Sequence, residues 1–362
     1  MSDYFSGTTE ITCPVCETTD CIKDAEEIIS SLNTIFTKCP GCSGTFHDRQ
    51  KPPKPVIVKP CPDCGRRFID DVIAHCYLIL NEEGEIPKGL PLSKTGIPLV
   101  TPGFAMKSPP HLPKKSLVLQ TLYAGEDSAK RILDEVPEVK GVIKDNRVVP
   151  GVTGLFTDLK ESDAKYPEFF SNTLLAGCDV RCDIFYAGNA PFVVYKNQSM
   201  MHIEFPRGFD PKINTVCENV RKLIPQTFID ACCGAGTLGI SAALFGVNSV
   251  VFNDIWYPAA FWTEVNLYAN RKMLEIEKSE YYLWYNELRD AFGTAEPLKT
   301  AHFEGRHCSF DVFLGDFRKL SSVIPGEGTL TALDVFDKIN RTSSDDAICE
   351  WKKRTGGDAF IP

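Results

Sequence analysis

Glycines and carboxylates with the spacing of a nucleotide-binding site lie between residues 227 and 254. The segment TFIDACCGAGTLG places a short apolar run before Asp230, and a turn with Gly234 and Gly236 follows. Glycines permit a tight turn and remove Cβ atoms that would block a ligand, while the next helix offers unpaired N–H groups. A second apolar run, SVVFNDI, brings Asp254 to a strand tip, where its carboxylate could accept hydrogen bonds from ribose hydroxyls. The spacing therefore predicts a strand–turn–helix unit that binds a nucleoside.

This stretch resembles class I S-adenosylmethionine-dependent methyltransferases. DACCGAGTLGI is similar to their first motif, especially in the RNA 5-methyluridine methyltransferases. NDIWYPAAFWTEVNLYANR, with Asn266 and Asn270, is similar to the second motif of archaeal tRNA guanine-N1 and wybutosine-pathway transferases. The resemblance implies that the turn approaches the methionine moiety of S-adenosylmethionine and that Asp254 holds the ribose.

The same resemblance extends to DVFLGDF, which we interpret as the third strand of the sheet. An acid at its tip would meet the adenine amino group, and the next side chain would pack on the adenine face. The cofactor contacts implied in this way are Asp230, Cys232, Gly234, Ala235, Gly236, Asn253, Asp254, Ile255, Asp316 and Phe317.

The predicted fourth strand, residues 329–338, carries the candidates for contact with the methyl acceptor. Asp334 and Asp337 lie near its carboxyl end, the edge where open α/β sheets bind ligands. Families that methylate base nitrogens carry Asn-Pro-Pro-Tyr or a similar motif here, whereas this chain has Leu-Asp-Val-Phe-Asp-Lys. The nucleophilic cysteine of the 5-methylpyrimidine enzymes is also missing downstream. The resemblance thus supports the cofactor and leaves the acceptor open.

Eight of the fifteen cysteines lie in the first 76 residues, and six of these form three Cys-Pro-x-Cys knuckles. Each knuckle places two thiolates on one turn, which suits two corners of a tetrahedral zinc site. We expect one or two structural zinc ions, with an iron–sulfur cluster as the alternative. The preferred pairing joins Cys13, Cys16, Cys39 and Cys42. Cys61, Cys64 and Cys76 would bind a second metal, with His75, His47 or Cys21 as the fourth ligand.

The patterns together predict an α/β protein built on a Rossmann-like class I methyltransferase sheet. We expect a cysteine-rich zinc-ribbon-like region over 1–85, a linker and small β-α-β recognition module over 86–179, and the methyltransferase domain, led by antiparallel strands, over 180–362. Only one helix and one strand fit after the fourth strand, so the sheet is expected to be shortened at that end. The strands of 180–205, or a partner subunit in a homo-oligomer, could cover the edge.

Composition and charge indicate which classes of partner, membrane or nucleic acid, the protein could bind. Hydrophobic residues make up 43% of the 362-residue chain, and no apolar run approaches the roughly 18–20 residues that span a bilayer. With no secretory signal in view, a cytoplasmic protein without a membrane partner is expected. The net charge of −9 argues mildly against a broad nucleic-acid footprint, although residues 49–67 are basic.

These observations favour a methyltransferase with a macromolecular acceptor, because the extra modules exceed what a small metabolite needs. A protein side chain is narrowly preferred, on the acidic balance and the missing Pro-containing motif. RNA is the alternative, supported by the resemblance and by the basic stretch. A non-catalytic zinc-ribbon adaptor with a degenerate methyltransferase fold is the second alternative.

Overall fold

The protein is described by a computed structural model that covers residues 12–152, 169–293, 296–324, 326–334 and 341–362. Across these ranges it forms eight α-helices, seventeen strands and two short 3₁₀ helices, at Leu92–Lys94 and Phe317–Ser322. The α-helices are α1 Ala25–Ser31, α2 Ile69–Glu82, α3 Glu126–Glu135, α4 Pro211–Leu223, α5 Thr237–Leu244, α6 Tyr257–Ala269, α7 Tyr285–Asp290 and α8 Arg341–Thr355. The strands are β1 Arg67–Phe68, β2 Ile97–Val100, β3 His111–Leu112, β4 Leu117–Thr121, β5 Val139–Lys144, β6 Gly151–Val152, β7 Phe169–Phe170, β8 Thr173–Gly177, β9 Val180–Ala187, β10 Ala190–Asn197, β11 Thr227–Asp230, β12 Ser249–Asp254, β13 Ile276–Tyr281, β14 Leu298–Gly305, β15 Ser309–Leu314, β16 Thr329–Ala332 and β17 Asp358–Phe360.

A seven-stranded sheet forms the C-terminal half of the chain. Its order is β13-β14-β15-β12-β11-β16-β17, and the last five strands of this order run parallel. The register pairs Asp230 with Ala332 and Asp254 with Leu314, so these strands end along one edge. The strand order reverses between β11 and β16, which is where open α/β sheets bind ligands.

The predicted third and fourth strands are present as β15 and β16, and the single helix and strand expected after them are α8 and β17. The antiparallel strands β13 and β14, which extend the opposite edge, were not anticipated.

The expectation for residues 180–205 was wrong in two respects. The segment forms two strands, β9 and β10, where three were expected, and they make a separate two-stranded sheet that does not cover an edge of the large one. Nearly every residue of the hairpin is buried, because it packs against α4, α5 and α6. The hairpin is buried on both faces, including the charged residues Arg181 and Asp183, so it lies among helices rather than along a sheet edge.

The small α/β module is confirmed over residues 117–144. There β4, α3 and β5 form a parallel β-α-β unit inside a four-stranded sheet of order β2-β4-β5-β8. An apolar cluster lies between this sheet and the helices α2 and α3, with Val72, Leu80, Ala129 and Ile132 fully or almost fully buried.

The N-terminal segment packs on the same core as the large sheet. Cys13, Ile22 and Ala25 are buried in the apolar cluster that also holds Phe228 and Phe252. Asp24 adds an ion pair to Arg271, with Nη2 3.0 Å from Oδ2. None of the described helices combines the length and the apolar character needed to cross a membrane. The domain boundaries predicted above stay predictions.

Candidate cofactor turn and cysteine sites

The glycine turn between β11 and α5 depends on backbone conformations that favour glycine. Gly234 and Gly236 have φ angles of +54° and +84°, in the left-handed region where a Cβ atom is strained. A Cβ on Gly234 would meet no atom within 4 Å, so open space borders the turn at this residue. At Gly239, inside α5, a Cβ would lie 2.2 Å from the Phe252 ring, so the helix can approach β12 only with glycine there.

Asp254 stands at the tip of β12 and faces this turn. Its Oδ2 accepts a hydrogen bond from the Gly234 N–H at 2.9 Å, and its Oδ1 accepts one from the Trp256 N–H at 2.9 Å. Burial raises the pKa of the Asp254 carboxyl to about 6. At neutral pH the group is therefore mainly an ionised acceptor next to the turn.

Asp230 closes the turn from the inside. Its Oδ2 accepts from the Gly239 N–H at 2.8 Å, whereas Oδ1 is buried and has no hydrogen-bond partner among the described residues. Burial raises its pKa to about 8, so this acid keeps its proton at neutral pH. Asn253 ties the neighbouring strand ends together, since its amide donates to the carbonyls of Ala231 and Gly315, both at 3.0 Å.

Helix α6 holds the far side of the turn. Thr263 Oγ1 donates to the Gly234 carbonyl at 3.1 Å, and Asn266 Nδ2 donates to the Ala235 carbonyl at 2.9 Å. Both side chains are fully buried. Backbone carbonyls that would lack partners are thus satisfied by α6, which fixes the turn for a ligand on its open side.

The other residues predicted to contact the cofactor lie beside the turn or after β15. Cys232 and Ile255 flank the turn and the β12 tip and are partly buried. The Asp316 carboxylate follows β15 and is engaged by the Arg318 guanidinium, with Nε 2.9 Å from Oδ1. Phe317 is 8% exposed and packs toward Trp351, with 6.2 Å between the ring centroids. The predicted adenine contacts of Asp316 and Phe317 stay predictions.

Asp334 follows β16 on the same edge and pairs with Lys212, the second residue of α4, at 2.6 Å. Lys196, His202 and Glu204 lie close by, since His202 and Glu204 interact electrostatically with this pair and Glu204 Oε2 is 2.8 Å from Lys196 Nζ. Asp337, the other residue proposed for the acceptor, lies outside the described residues.

The cysteines form two groups, and the preferred pairing was wrong. One group is Cys13, Cys16, Cys21 and Cys178, and the other is Cys39, Cys42, Cys61 and Cys64. In each group the four Sγ atoms lie within 4.8 Å of one another. The knuckles at 39–42 and 61–64 share one site, whereas the first knuckle is joined by Cys21, five residues after Cys16, and by Cys178, in the turn before β9.

Cys76 was wrongly assigned as a ligand, as were the histidines offered beside it. Cys76 is fully buried in the apolar cluster under α2, away from both groups. His47 Nε2 lies 2.9 Å from Asp71 Oδ1, and His75 Nδ1 lies 3.1 Å from Arg67 Nη1. Helix α2 carries both His75 and Cys76. It places Cys76 in the apolar core and His75 beside Arg67.

The sulfur spacing fits a single ion in each group. The shortest Sγ–Sγ distances are 3.4–3.6 Å in the group of Cys39 and 3.5–3.9 Å in the group of Cys13, and all pairs in each group lie within 4.8 Å. Four thiolates at zinc–sulfur bonds of about 2.3 Å in a tetrahedron stand roughly 3.8 Å apart. In an iron–sulfur cluster the thiolates bind different iron atoms and stand farther apart. The geometry favours one tetrahedral ion, and disfavours a cluster.

A lysine lies beside the first group. Lys140 Nζ donates to Cys21 Sγ at 3.4 Å and to the Val180 carbonyl at 2.8 Å. Four thiolates around a divalent ion carry net negative charge, which is costly to bury without a cation. Lys140 supplies that charge where Cys13 and Cys178 are buried.

The basic stretch 49–67 is partly neutralised by three acids, all of them from outside the stretch. Arg67 is buried in an ion pair with Glu138, whose Oε1 lies 3.1 Å from Arg67 Nε. Arg49 pairs with Asp70 at 2.7 Å. Lys51 lies 3.1 Å from Asp48. The stretch therefore offers less free positive charge than its composition indicates.

Sequence reasoning missed Cys178, Lys140, Thr263 and Lys212. Cys178 belongs to no knuckle and lies 165 residues from Cys13, so no spacing pattern points to it. Thr263 and Lys212 lie on α6 and α4, and only the packing of these helices on the sheet shows which way their side chains face.

No protein-family model matches this sequence, and no curated protein matches it. Three solved structures show a distant likeness in overall shape. One is the complex of aTrm5 and tRNALeu, with 13% identity and a TM-score of 0.35, covering 78% of this chain and 62% of that one. The M. jannaschii tRNA m1G37 methyltransferase has 14% identity and a TM-score of 0.33, covering 74% and 58%. P. horikoshii TYW2 in complex with MeSAdo has 13% identity and a TM-score of 0.37, covering 80% and 78%.

The chain spans about three fifths of the length of the first two. All three likenesses lie below a TM-score of 0.5 and show no function for this chain.

Proposed function

We propose that this protein is an S-adenosylmethionine-dependent methyltransferase with an RNA acceptor. The observation that carries the cofactor is the pairing of the Asp254 carboxylate with the Gly234 N–H at 2.9 Å. It places an acidic acceptor beside a glycine turn at the point where the strand order reverses. A nucleoside needs this combination, because its ribose hydroxyls require an acceptor and its tail requires a close backbone.

The residues present fit S-adenosylmethionine. Open space borders Gly234, and the turn exposes backbone where a Cβ would otherwise stand. The ionised Asp254 carboxylate beside the turn suits a ligand with a positive sulfonium. The buried Asp230, protonated at neutral pH, holds the turn through the Gly239 N–H. When bound, S-adenosylmethionine would supply an activated methyl group.

The chain's own contribution is to bind and to orient. Asp254 would hold the ribose hydroxyls, and the backbone from Cys233 to Gly236 would hold the methionine moiety. Asp334, held by Lys212 on the same edge, would orient the acceptor toward the methyl group. Alignment of the two reactants accounts for most of the rate that such a site needs to provide.

RNA replaces the protein side chain that the sequence narrowly favoured. The segment before α4 carries Phe205 and Phe209, which are 57% and 67% exposed, on either side of the exposed Arg207. This segment adjoins Asp334, since Glu204 and His202 interact with the Lys212–Asp334 pair. Exposed aromatic rings beside an arginine are suited to stacking on unpaired bases.

We further propose that each cysteine group binds one structural zinc ion. All four positions of each tetrahedron are taken by thiolates, which leaves no open position for chemistry. The ions would shape the N-terminal half of the protein and stabilise its loops.

Calorimetry with S-adenosylhomocysteine tests the cofactor assignment. We expect binding in the micromolar range or tighter, and no binding at high micromolar ligand would instead favour the non-catalytic adaptor. A labelled-methyl assay on separate tRNA, rRNA and protein fractions then tests the acceptor. Counts in RNA are expected, and counts confined to protein would refute the RNA assignment. Asp334→Asn should lower turnover about 10- to 100-fold while cofactor affinity stays within about twofold.

A further inference from the structure

The first cysteine group is joined to the cofactor turn by a chain of hydrogen bonds. Lys23, two residues after Cys21, donates its N–H to the Tyr195 hydroxyl at 3.0 Å. The same hydroxyl donates back to the Lys23 carbonyl at 3.1 Å. The loop that leaves the cysteine group is thus held to β10 by both hydrogen-bonding functions of one side chain.

Asn266 continues the path from β10 to the turn. Its Oδ1 accepts from the Tyr195 N–H at 2.6 Å, and its Nδ2 donates to the Tyr195 carbonyl at 3.0 Å. The same Nδ2 donates to the Ala235 carbonyl, inside the turn, at 2.9 Å. One amide side chain therefore contacts both the residue that fixes the cysteine loop and the residue that follows Gly234.

The residues of this path are buried from water, and a second asparagine makes similar hydrogen bonds to β10. Tyr195 is 2% exposed and Asn266 is fully buried, so water cannot replace a lost partner. Asn270, one helical turn on, contacts both the N–H and the carbonyl of Val193, at 3.0 and 2.7 Å. The two asparagines take the place of a neighbouring strand on the open edge of β10, which locks α6 to the hairpin.

The second cysteine group is attached elsewhere. Its loops are bonded to α2 and its surroundings, through Arg49 to Asp70 and through the Phe36 carbonyl to the His111 N–H at 3.1 Å. Phe36 packs in the cluster of the small module, whereas Cys13 packs in the cluster of the large sheet. Among the described residues, therefore, only the first of the two groups is bonded through Lys23 to the hairpin that Asn266 joins to the glycine turn.

We propose that the metal ion held by Cys13, Cys16, Cys21 and Cys178 positions the cofactor turn through Tyr195 and Asn266, so that loss of this ion weakens S-adenosylmethionine binding. The inference rests on the proposed function for its ligand. Tyr195 and Asn266 are positioning residues, since neither is assigned a contact with the cofactor.

The test compares one cysteine substitution in each group, in the full chain as purified. Metal content is measured by mass spectrometry and S-adenosylhomocysteine affinity by calorimetry. Each of Cys16→Ser and Cys42→Ser should lose one ion per chain. Cys16→Ser should weaken binding about tenfold, which is the effect of losing about 1.4 kcal/mol. Cys42→Ser should stay within about twofold of the unsubstituted protein. Equal losses in both variants, or no loss in Cys16→Ser, would overturn the proposal.

Tyr195→Phe interrupts the path without touching a ligand. It removes only the hydroxyl, so both ions should remain while affinity falls about three- to tenfold. Combined with Cys16→Ser it should add less than about twofold, because both changes break the same connection. Unchanged affinity in Tyr195→Phe, or fully additive losses, would contradict the coupling, and this holds even where Cys16→Ser does not fold.

Hydrogen exchange separates this inference from the proposed function. Without any ligand, amides of residues 231–239 should exchange faster in Cys16→Ser and in Tyr195→Phe than in the unsubstituted protein or in Cys42→Ser. Failure of the unsubstituted protein to bind S-adenosylhomocysteine would refute the proposed function alone. Unchanged exchange at the turn in both variants would refute the coupling alone.

Discussion

Asp230 and Gly239 are joined across the glycine turn by a hydrogen bond of 2.8 Å from the Gly239 N–H to Asp230 Oδ2. The acid that ends β11 thereby holds an N–H group in the first turns of α5, and the chain between them is closed into a compact loop. Because the carboxyl is fully buried, its protonation state and the stability of this loop are linked.

The first prediction concerns this linkage. Burial raises the pKa of Asp230 from 3.8 to about 8, so between these values the folded chain holds a proton that the unfolded chain has released. Its stabilising contribution is complete below about pH 4 and is lost as the pH rises through about 8. The free energy of unfolding should therefore fall with pH more steeply in the unsubstituted protein than in Asp230→Asn. Denaturant titrations from pH 5 to 9 measure the difference, and parallel curves would contradict it.

The second prediction concerns Asp254. Asp254→Asn keeps the size of the side chain but removes the charge that would bind ribose hydroxyls. Hydrogen bonds to charged groups contribute about 1.5–3 kcal/mol, so S-adenosylhomocysteine affinity should fall roughly 10- to 100-fold. Since burial raises the Asp254 pKa to about 6, affinity of the unsubstituted protein should also fall as the pH is lowered through that value.

A matched control for this measurement is Glu277→Gln, an equal change on the exposed part of β13. It should bind the ligand as the unsubstituted protein does. A similar loss in both variants would show that net charge, rather than the position of Asp254, governs binding.

The third prediction separates metal ligands from buried thiols. Cys61→Ser should reduce the metal content from two ions per chain to one, because Cys61 belongs to the group with Cys39, Cys42 and Cys64. Cys76→Ala should retain both ions and lower the free energy of unfolding by about 1 kcal/mol, as loss of a buried core atom does. The number of metal ions per chain is measured in both variants. Loss of an ion in Cys76→Ala would support the pairing expected from the sequence.

The fourth prediction concerns the contact between α5 and β12. In Gly239→Ala the new Cβ would lie 2.2 Å from the fully buried Phe252 ring. Forcing an atom into a packed core costs about 1–3 kcal/mol, and so close an approach belongs in the upper part of this range, which exceeds the gain of about 1 kcal/mol in helix propensity. Gly208→Ala, where a Cβ meets no atom within 4 Å, should change stability by less than about 0.5 kcal/mol. Equal melting temperatures for the two variants would contradict this account of the packing.

Local patterns predicted the parts of the site that neighbours in sequence build. The turn with Gly234 and Gly236 and the acid at the tip of β12 follow from a strand, a tight bend and a strand end. The β-α-β unit of β4, α3 and β5 was likewise predictable, because its periodicity changes from strand to helix and back.

Contacts between distant segments could not be predicted in this way. The wrong cysteine pairing arose because the knuckles appear equivalent in sequence, whereas burial distinguishes Cys13, packed in the large core, from the half-buried Cys39. The hairpin of β9 and β10 was misplaced for the same reason, since its partner groups on α6, Asn266 and Asn270, lie over 70 residues away.

The location of Cys178 has a consequence for the order in which the protein matures. The two cysteine pairs of the second group lie only 22 residues apart, so they emerge from the ribosome within a few seconds of each other. The first group is complete only after Cys178 is synthesised, 157 residues after Cys21. At about 5–20 residues per second this takes roughly 8–30 s. During that interval the nascent chain holds three exposed thiols and an incomplete site. The synthesis of Cys178 therefore sets the earliest time at which the first group can be complete, and until then its three earlier thiols are open to oxidation.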